Sequence, residues 1–213
     1  MTASVPKVWR TFAFSLVVLG LFAPAAGAAP ISAWELTNPS DFRNDSWSFG
    51  ELFTVGASNI EVTALGAYDN NGDGFVSGRV PVGIYRESDD ALLASTTVNS
   101  ADPLIGHYRF ASITPLVLVA NTAYRVVGVN LDDQYNITTG TPNSVDPRIT
   151  WNSYGYCAAT VLTSCDSFTG TDRSWFANFQ IDSAGSAVPE PMSLTLVGLG
   201  LLGAGVRRYR GRA

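Results

Sequence analysis

Asp69-Asn70-Asn71-Gly72-Asp73-Gly74 is the stretch whose residue types most resemble a binding site. It matches the first half of a calcium loop, D-x-[DN]-x-[DN]-G. There, oxygens at alternate positions (Asp69, Asn71 and Asp73) converge on a hard cation and the glycine permits a sharp turn. The second half is missing: with Asp69 as the first position, the twelfth is Val80, where an EF-hand needs a bidentate glutamate. No helical pattern flanks the loop, so it is no EF-hand. Two readings stay open: a hairpin loop holding Ca2+ completed by carbonyls or distant acids, or an Asn/Gly-rich turn joining two strands. If calcium fills the loop, EDTA lowers the melting temperature and Asp73→Ala abolishes the effect.

Trp151, Tyr154 and Tyr156 form a second candidate, an aromatic platform for stacking on sugar rings, to which Trp34 and Trp47 could add. Large aromatics also fill sandwich cores, and that reading stays open beside it. Catalytic signals are weak. His107 is the sole histidine, no nucleophile-elbow serine accompanies it, and zinc would lack ligands. Its parity with Arg109 reads as an exposed strand face. Glycoside hydrolysis needs only two carboxylates, but the 18 acids single out no pair. Asp89-Asp90 and Asp132-Asp133 read as solvated turns. A non-catalytic domain is therefore expected, with a secreted carbohydrate-active hydrolase as the alternative. Cys157 and Cys165 read as one disulfide closing a small loop, given export.

Strands must position these groups. From Ile31 to about Ile181 the hydrophobic period is two, not 3.6. Trp47, Phe49, Phe53 and Val55 share a face that Glu51 interrupts. Ile60-Val62-Ala64, Val80-Val82-Ile84 and Tyr108-Phe110 alternate likewise. In the last strand Trp175, Ala177, Phe179 and Ile181 are expected to face in, with Ser174, Asn178, Gln180 and Asp182 facing out. Eight to ten such strands, separated by Gly, Asn, Asp and Pro turns, predict an all-β fold: an antiparallel, jelly-roll-like β-sandwich over residues 29–181. Residues 182–187 form a small-residue linker.

Both flanks read as processing segments. Residues 1–28 form a signal peptide, with Lys7 and Arg10 ahead of an apolar run and Ala26-Gly27-Ala28 at the cut. Taking out these two basic residues and four tail arginines leaves seven of 13, all arginine. Against 18 acids, the exported part carries a net charge of about −11. Such a surface excludes nucleic acid as a partner, because phosphate contacts need a basic patch.

Residues 188–213 have three parts in fixed order. Val188-Pro189-Glu190-Pro191 is stiff, because its prolines fix φ. The apolar segment 192–206 has 15 residues and as a helix spans roughly 22 Å, short of a comfortable bilayer crossing. Arg207, Arg208, Arg210 and Arg212 follow and favour the cytoplasmic side. Leader and tail therefore agree in placing the middle of the chain outside. This tail resembles the PEP-CTERM sorting signal. The resemblance implies recognition by a membrane protease, exosortase, in Gram-negative bacteria that make exopolysaccharide. It also implies cleavage near Pro189-Glu190-Pro191 and transient or permanent membrane association through a transmembrane helix at 192–206.

The stretch from Ala64 onward is similar to exported domains on other PEP-CTERM proteins. The matching residues are Ala64-Leu65-Gly66, Tyr68-Asp69, Gly72-Asp73-Gly74, Val82-Gly83-Ile84-Tyr85 and the Thr122-Ala123-Tyr124 strand start. This similarity implies a secreted β-sandwich and brings no catalytic residues. The function expected is a surface or biofilm-matrix protein that binds exopolysaccharide, or a structural envelope protein without ligand.

Overall fold

The computed structural model describes residues 29–137, 144–165 and 174–183. The leader (1–28), most of the linker and the whole sorting tail, with Val188 to Pro191 and the four tail arginines, lie outside the described residues.

The first half of the chain carries β1 (Ile31–Ser32), β2 (Trp34–Glu35), β3 (Asp41–Phe42), β4 (Trp47–Val55), β5 (Ile60–Tyr68), β6 (Arg79–Arg86) and β7 (Ala91–Asn99). The second carries β8 (Leu104–Ile105), β9 (Tyr108–Leu118), β10 (Ala123–Val129), β11 (Tyr135–Asn136), β12 (Ser144–Val145), β13 (Ile149–Ala158) and β14 (Ala177–Ile181). They form two five-stranded sheets, β1-β14-β5-β9-β8 and β13-β4-β10-β6-β7, and two short ribbons, β11-β3 and β12-β2. Every pairing is antiparallel. The all-β sandwich expected from the alternation is the fold observed.

Alternating apolar side chains from both sheets meet in one core. Phe53 of β4 packs on Phe179 of β14 with ring centroids 4.8 Å apart, and Trp34 meets Trp175 and Phe179 edge-on. Burying such rings supplies most of the driving force, on the order of 2–3 kcal/mol for each large side chain.

On the outer faces the alternation misleads. Asn178 and Gln180, expected to face solvent, are buried. The N-terminal segment pairs along the edge of β14, with Ser32 opposite Gln180; Asn178 Nδ2 donates to the Trp34 carbonyl, and Ala33 N to that of Phe179. On the other sheet, the segment closed by the Cys157–Cys165 disulfide folds over the outer face. A Cβ at Gly83 would stand 2.9 Å from Leu162 Cδ2, so glycine leaves room for that cover. Beneath it Arg125 is buried, bound to both Glu87 oxygens at 2.7 and 2.6 Å and to the Cys165 carbonyl. Closing an eight-residue separation stabilises by about 2–3 kcal/mol through the unfolded chain.

Registers give the sandwich two distinct poles. At one, Ile149 pairs with Val55, and Asn121 N donates to the Val55 carbonyl. Asp182 N bonds the Glu61 carbonyl there, and Ile31 pairs with Ile181. The first described strand therefore starts beside the end of the last. At the other pole lie the start of β4, the ends of β10 and β13, and the Asp69–Gly74 loop. Nine extended residues separate the poles, roughly 30 Å.

Arg148 fastens the first pole. Its Nε and Nη2 each lie 2.9 Å from an Asp146 carboxylate oxygen, and Nη1 donates to the Asp182 carbonyl at 2.8 Å. Burial would raise the Asp146 carboxyl, but Arg148's hydrogen bonds and charge outweigh it and hold it below the ordinary carboxylate value. A depressed folded value means stability that is present above the ordinary carboxylate range and lost as pH falls through the folded value. Asp146→Asn is expected to cost about 1–2 kcal/mol at neutral pH. In denaturant titrations the difference from wild type shrinks as pH falls below that range. A difference that does not change with pH contradicts this.

Candidate functional site

The start of β4 and the end of β13 carry an aromatic pocket at the second pole. It encloses about 260 Å³ and is lined by Phe42, Asn44, Trp47, Phe49, Tyr135, Ile137, Tyr154, Tyr156 and Ser174. Tyr156 lies opposite Phe49 in the register and Tyr154 opposite Glu51, so both tyrosines point to the inner face of the sheet. β13 is an edge strand, and the ribbon of β3 and β11 brings Phe42 and Tyr135 alongside. Tyr154 and Tyr156 stack at 6.0 Å, Trp47 meets Tyr156 edge-on at 5.6 Å, and Phe49 lies 4.5 Å from Tyr135.

Polar groups tie the pocket wall together. Tyr135 Oη donates to Asn44 Oδ1 at 2.6 Å, and Trp47 Nε1 donates to the Asn44 carbonyl at 2.7 Å. Burial raises the Tyr135 phenol above its ordinary value, with Tyr156 and the Asp45 carboxylate adding to it. Tyr135 therefore stays a neutral donor at physiological pH. Tyr156 is 39 % exposed and Phe42 44 % exposed, so aromatic surface at the rim meets solvent. Such a wall, apolar with a few directed polar atoms, suits a small ligand that is itself amphipathic.

Two of the three platform candidates, Tyr154 and Tyr156, line this pocket, and Trp47 joins them. Trp151 does not. It packs on Trp175 with the rings tilted and their centroids 5.6 Å apart, and donates its Nε1 to Glu51 Oε2 at 2.7 Å, inside the sandwich. Trp34 is fully buried in the core. Phe42, Tyr135 and Asn44 escaped the sequence reading, because short ribbons give no alternation long enough to read.

The Asp69–Gly74 loop lies at the same pole. Its first carboxylate is engaged by a cation from β9. Arg109 Nε lies 2.5 Å from Asp69 Oδ2, while Nη2 donates to the Gly72 carbonyl at 2.8 Å and Nη1 to the Asp102 carbonyl at 2.9 Å. Arg109, expected on an exposed face with His107, is nearly buried, its side chain 12 % exposed. Asn71 Nδ2 donates to Asp41 Oδ2 at 3.3 Å, Asn70 Nδ2 to the same oxygen at 3.1 Å, and Tyr68 Oη to Asp41 Oδ1 at 2.6 Å. Burial, then this bond to Asp41, drives the Tyr68 phenol upward. Asp73 is exposed at the tip. Gly74 has a φ of +87° and a Cβ there would stand 2.8 Å from Ser100 Cβ, so this turn requires glycine. Among the described residues, no group of three or more His, Cys, Asp or Glu is placed to hold a metal.

Asp133, expected in a solvated turn, is buried. Its carboxylate accepts Val76 N and Gln134 N, both at 2.7 Å. Burial raises its carboxyl above the usual value while these two amides oppose the rise. Asp89 keeps to the surface, paired with Arg86. His107 is half-buried beside Tyr108 in a small cleft of about 60 Å³.

No helix among the described residues is long and apolar enough to cross a membrane. Residues 187–210 match the family model of the PEP-CTERM protein-sorting motif, and no curated protein matches the chain. The motif implies export, sorting to the cell envelope and processing by an exosortase-type system. The chain thus carries a PEP-CTERM sorting motif behind an all-β domain.

Proposed function

We propose that this is a non-catalytic surface or extracellular-matrix protein that holds exopolysaccharide in its aromatic pocket. The carrying observation is polarity. β14 runs away from the pocket, so the chain turns toward its sorting tail at the pole opposite Trp47 and Tyr156. A tail retained at that pole supports a glycan site on the side of the domain away from its anchor.

The pocket favours binding over hydrolysis. Glycosidases flank the scissile bond with two carboxylates. No carboxylate is among the described residues of the pocket wall. The buried carboxylates Glu51, Asp69, Asp133 and Asp146 are occupied in holding the fold.

Titrating the mature protein with exopolysaccharide from its host tests the reading. Trp47 at the pocket wall makes tryptophan fluorescence the reporter. Tyr156→Ala is expected to weaken binding at least tenfold, roughly the 1.4 kcal/mol of one lost aromatic contact. An unchanged spectrum at saturating polysaccharide sinks it. Intact mass tests the sorting half: a C-terminus near Pro189-Glu190-Pro191 supports processing, and one at Ala213 means a retained anchor.

A further inference from the structure

The edges of the two sheets are unequal. β1 and β8 are two residues long, and β13 carries a bulge between Trp151 and Ser153. Past its short pairing with β8, β9 has one ladder, to β5. That strand holds Pro115, which has no N–H to donate, and its ladder is irregular between Ser112 and Leu116. β7 differs. It ends the other sheet, pairs among the described residues with β6 alone, and beyond an irregularity at Leu93 runs regularly from Ala94 to Asn99. Its outer flank is a row of backbone N–H and C=O groups open to another strand.

Charge singles out the same strand. Residues 91–101 hold no acid or base, and neither do residues 110–123, in an exported part that carries about −11. The acids beside β7 are held: Asp89 by Arg86, Asp90 by Ser164 Oγ at 3.2 Å, and Asp102 by Asn99 N at 2.7 Å. β7 and the uncharged run of β9 border a groove of about 390 Å³. Leu93, Ile113 and Leu116 lie half-buried along it, and Leu92 and Val117, their chain neighbours, are exposed. A strand added to β7 would turn alternate side chains into this groove and cover it.

An edge shaped for a different protein can carry charge that its partner matches. An edge that meets its own copy across a two-fold sets each charge near its like, so the self-compatible edge is the uncharged one. We infer that β7 pairs antiparallel with β7 of a second copy, joining the β13-β4-β10-β6-β7 sheets of two copies into one. Any register within residues 91–101 sets uncharged residues opposite each other. The charge elsewhere repels between copies, so salt strengthens the association, the reverse of an ion-paired interface. β13, which carries the aromatic pocket, is the opposite edge of the same sheet, so both pockets stay open. On the glycan-binding reading above, the pair is divalent and bridges two glycan chains.

Sedimentation velocity of the mature protein up to about 100 µM, at low and at high salt, tests the pairing. No glycan is present, so its failure is separate from failure of the glycan-binding reading. A concentration-dependent dimer that tightens with salt is the expected result. Ser95 and Thr97 are exposed on β7. Ser95→Lys with Thr97→Lys, and Ser95→Glu with Thr97→Glu, are each expected to weaken the dimer at least about tenfold, and an equimolar mixture of the two variants to restore it. A wild type that stays monomeric overturns the inference. So does association that weakens with salt or persists unchanged in both variants. A mixture that stays monomeric overturns the pairing of β7 with its own copy. Circular dichroism and unchanged melting temperatures for the variants separate a lost contact from a lost fold.

Discussion

Glu51→Ala is expected to lower the unfolding free energy by about 3–5 kcal/mol, the range of a broken buried polar network. Glu51 is fully buried on the inner face of β4. Its Oε2 accepts Trp151 Nε1 at 2.7 Å, and its Oε1 accepts Trp175 N at 3.0 Å and Ser174 Oγ at 3.3 Å. These contacts tie β4 to β13 and to the chain entering β14, so one side chain joins the two sheets. Alanine leaves two buried N–H groups without that acceptor and opens a void between Trp151 and Trp175. Glu51→Gln keeps the shape and one acceptor oxygen and should recover part of the loss. Urea unfolding followed by tryptophan fluorescence measures it, because both rings report on the site. A loss under about 1 kcal/mol for alanine, with an unchanged denaturant slope, rejects the account.

Glu51 also shows where the sequence is legible and where it stops. Strict alternation located the long strands, because each buries one face and period two is a local property. Within that pattern Glu51 is a visible fault: an acid in line with Phe49 and Phe53. Its partners are not visible. Trp151 differs from Tyr154 by three positions, which by plain counting puts them on opposite faces. A β-bulge between Trp151 and Ser153 restores the match, so Trp151 lies opposite Phe53 and Tyr154 opposite Glu51. The bulge is set by pairing with β4, about a hundred residues earlier, and leaves no local mark. Asn178 and Gln180 mislead for a related reason: their surroundings include the N-terminal segment, which pairs with β14 from the far end of the chain and takes the Asn178 amide on the Trp34 carbonyl. The tail is legible throughout, because an address is read as a linear string and needs no fold. For the pocket, the sequence offers Tyr154, Tyr156 and Trp47. The short β3–β11 ribbon that completes the wall exists only through tertiary pairing.

Arg109 decides what the Asp69–Gly74 loop is expected to do. A calcium loop gathers carboxylate and carbonyl oxygens around a central cation. In this loop the Asp69 carboxylate and the Gly72 carbonyl are both bound by one guanidinium, which also holds the Asp102 carbonyl beyond the loop. The arginine reaches them from β9, where it lies opposite Ala67 near the end of β5. A side chain thus supplies positive charge at Asp69, the first of the three groups that the loop motif would offer to a metal. Arg109→Leu strips the partner from a carboxylate whose side chain is 2 % exposed. The expected cost is about 3–5 kcal/mol, the range for breaking a buried ion pair from one side. Lysine should not rescue it, since a single ammonium cannot match three acceptors that a planar fork spans. EDTA is expected to leave the wild-type melting temperature unchanged, because the charge that closes the loop is covalently part of the chain. A fall in that temperature with EDTA, abolished by Asp73→Ala, would instead assign the loop to calcium. An Arg109→Leu protein that melts like wild type would show that Asp69 draws its compensation from elsewhere.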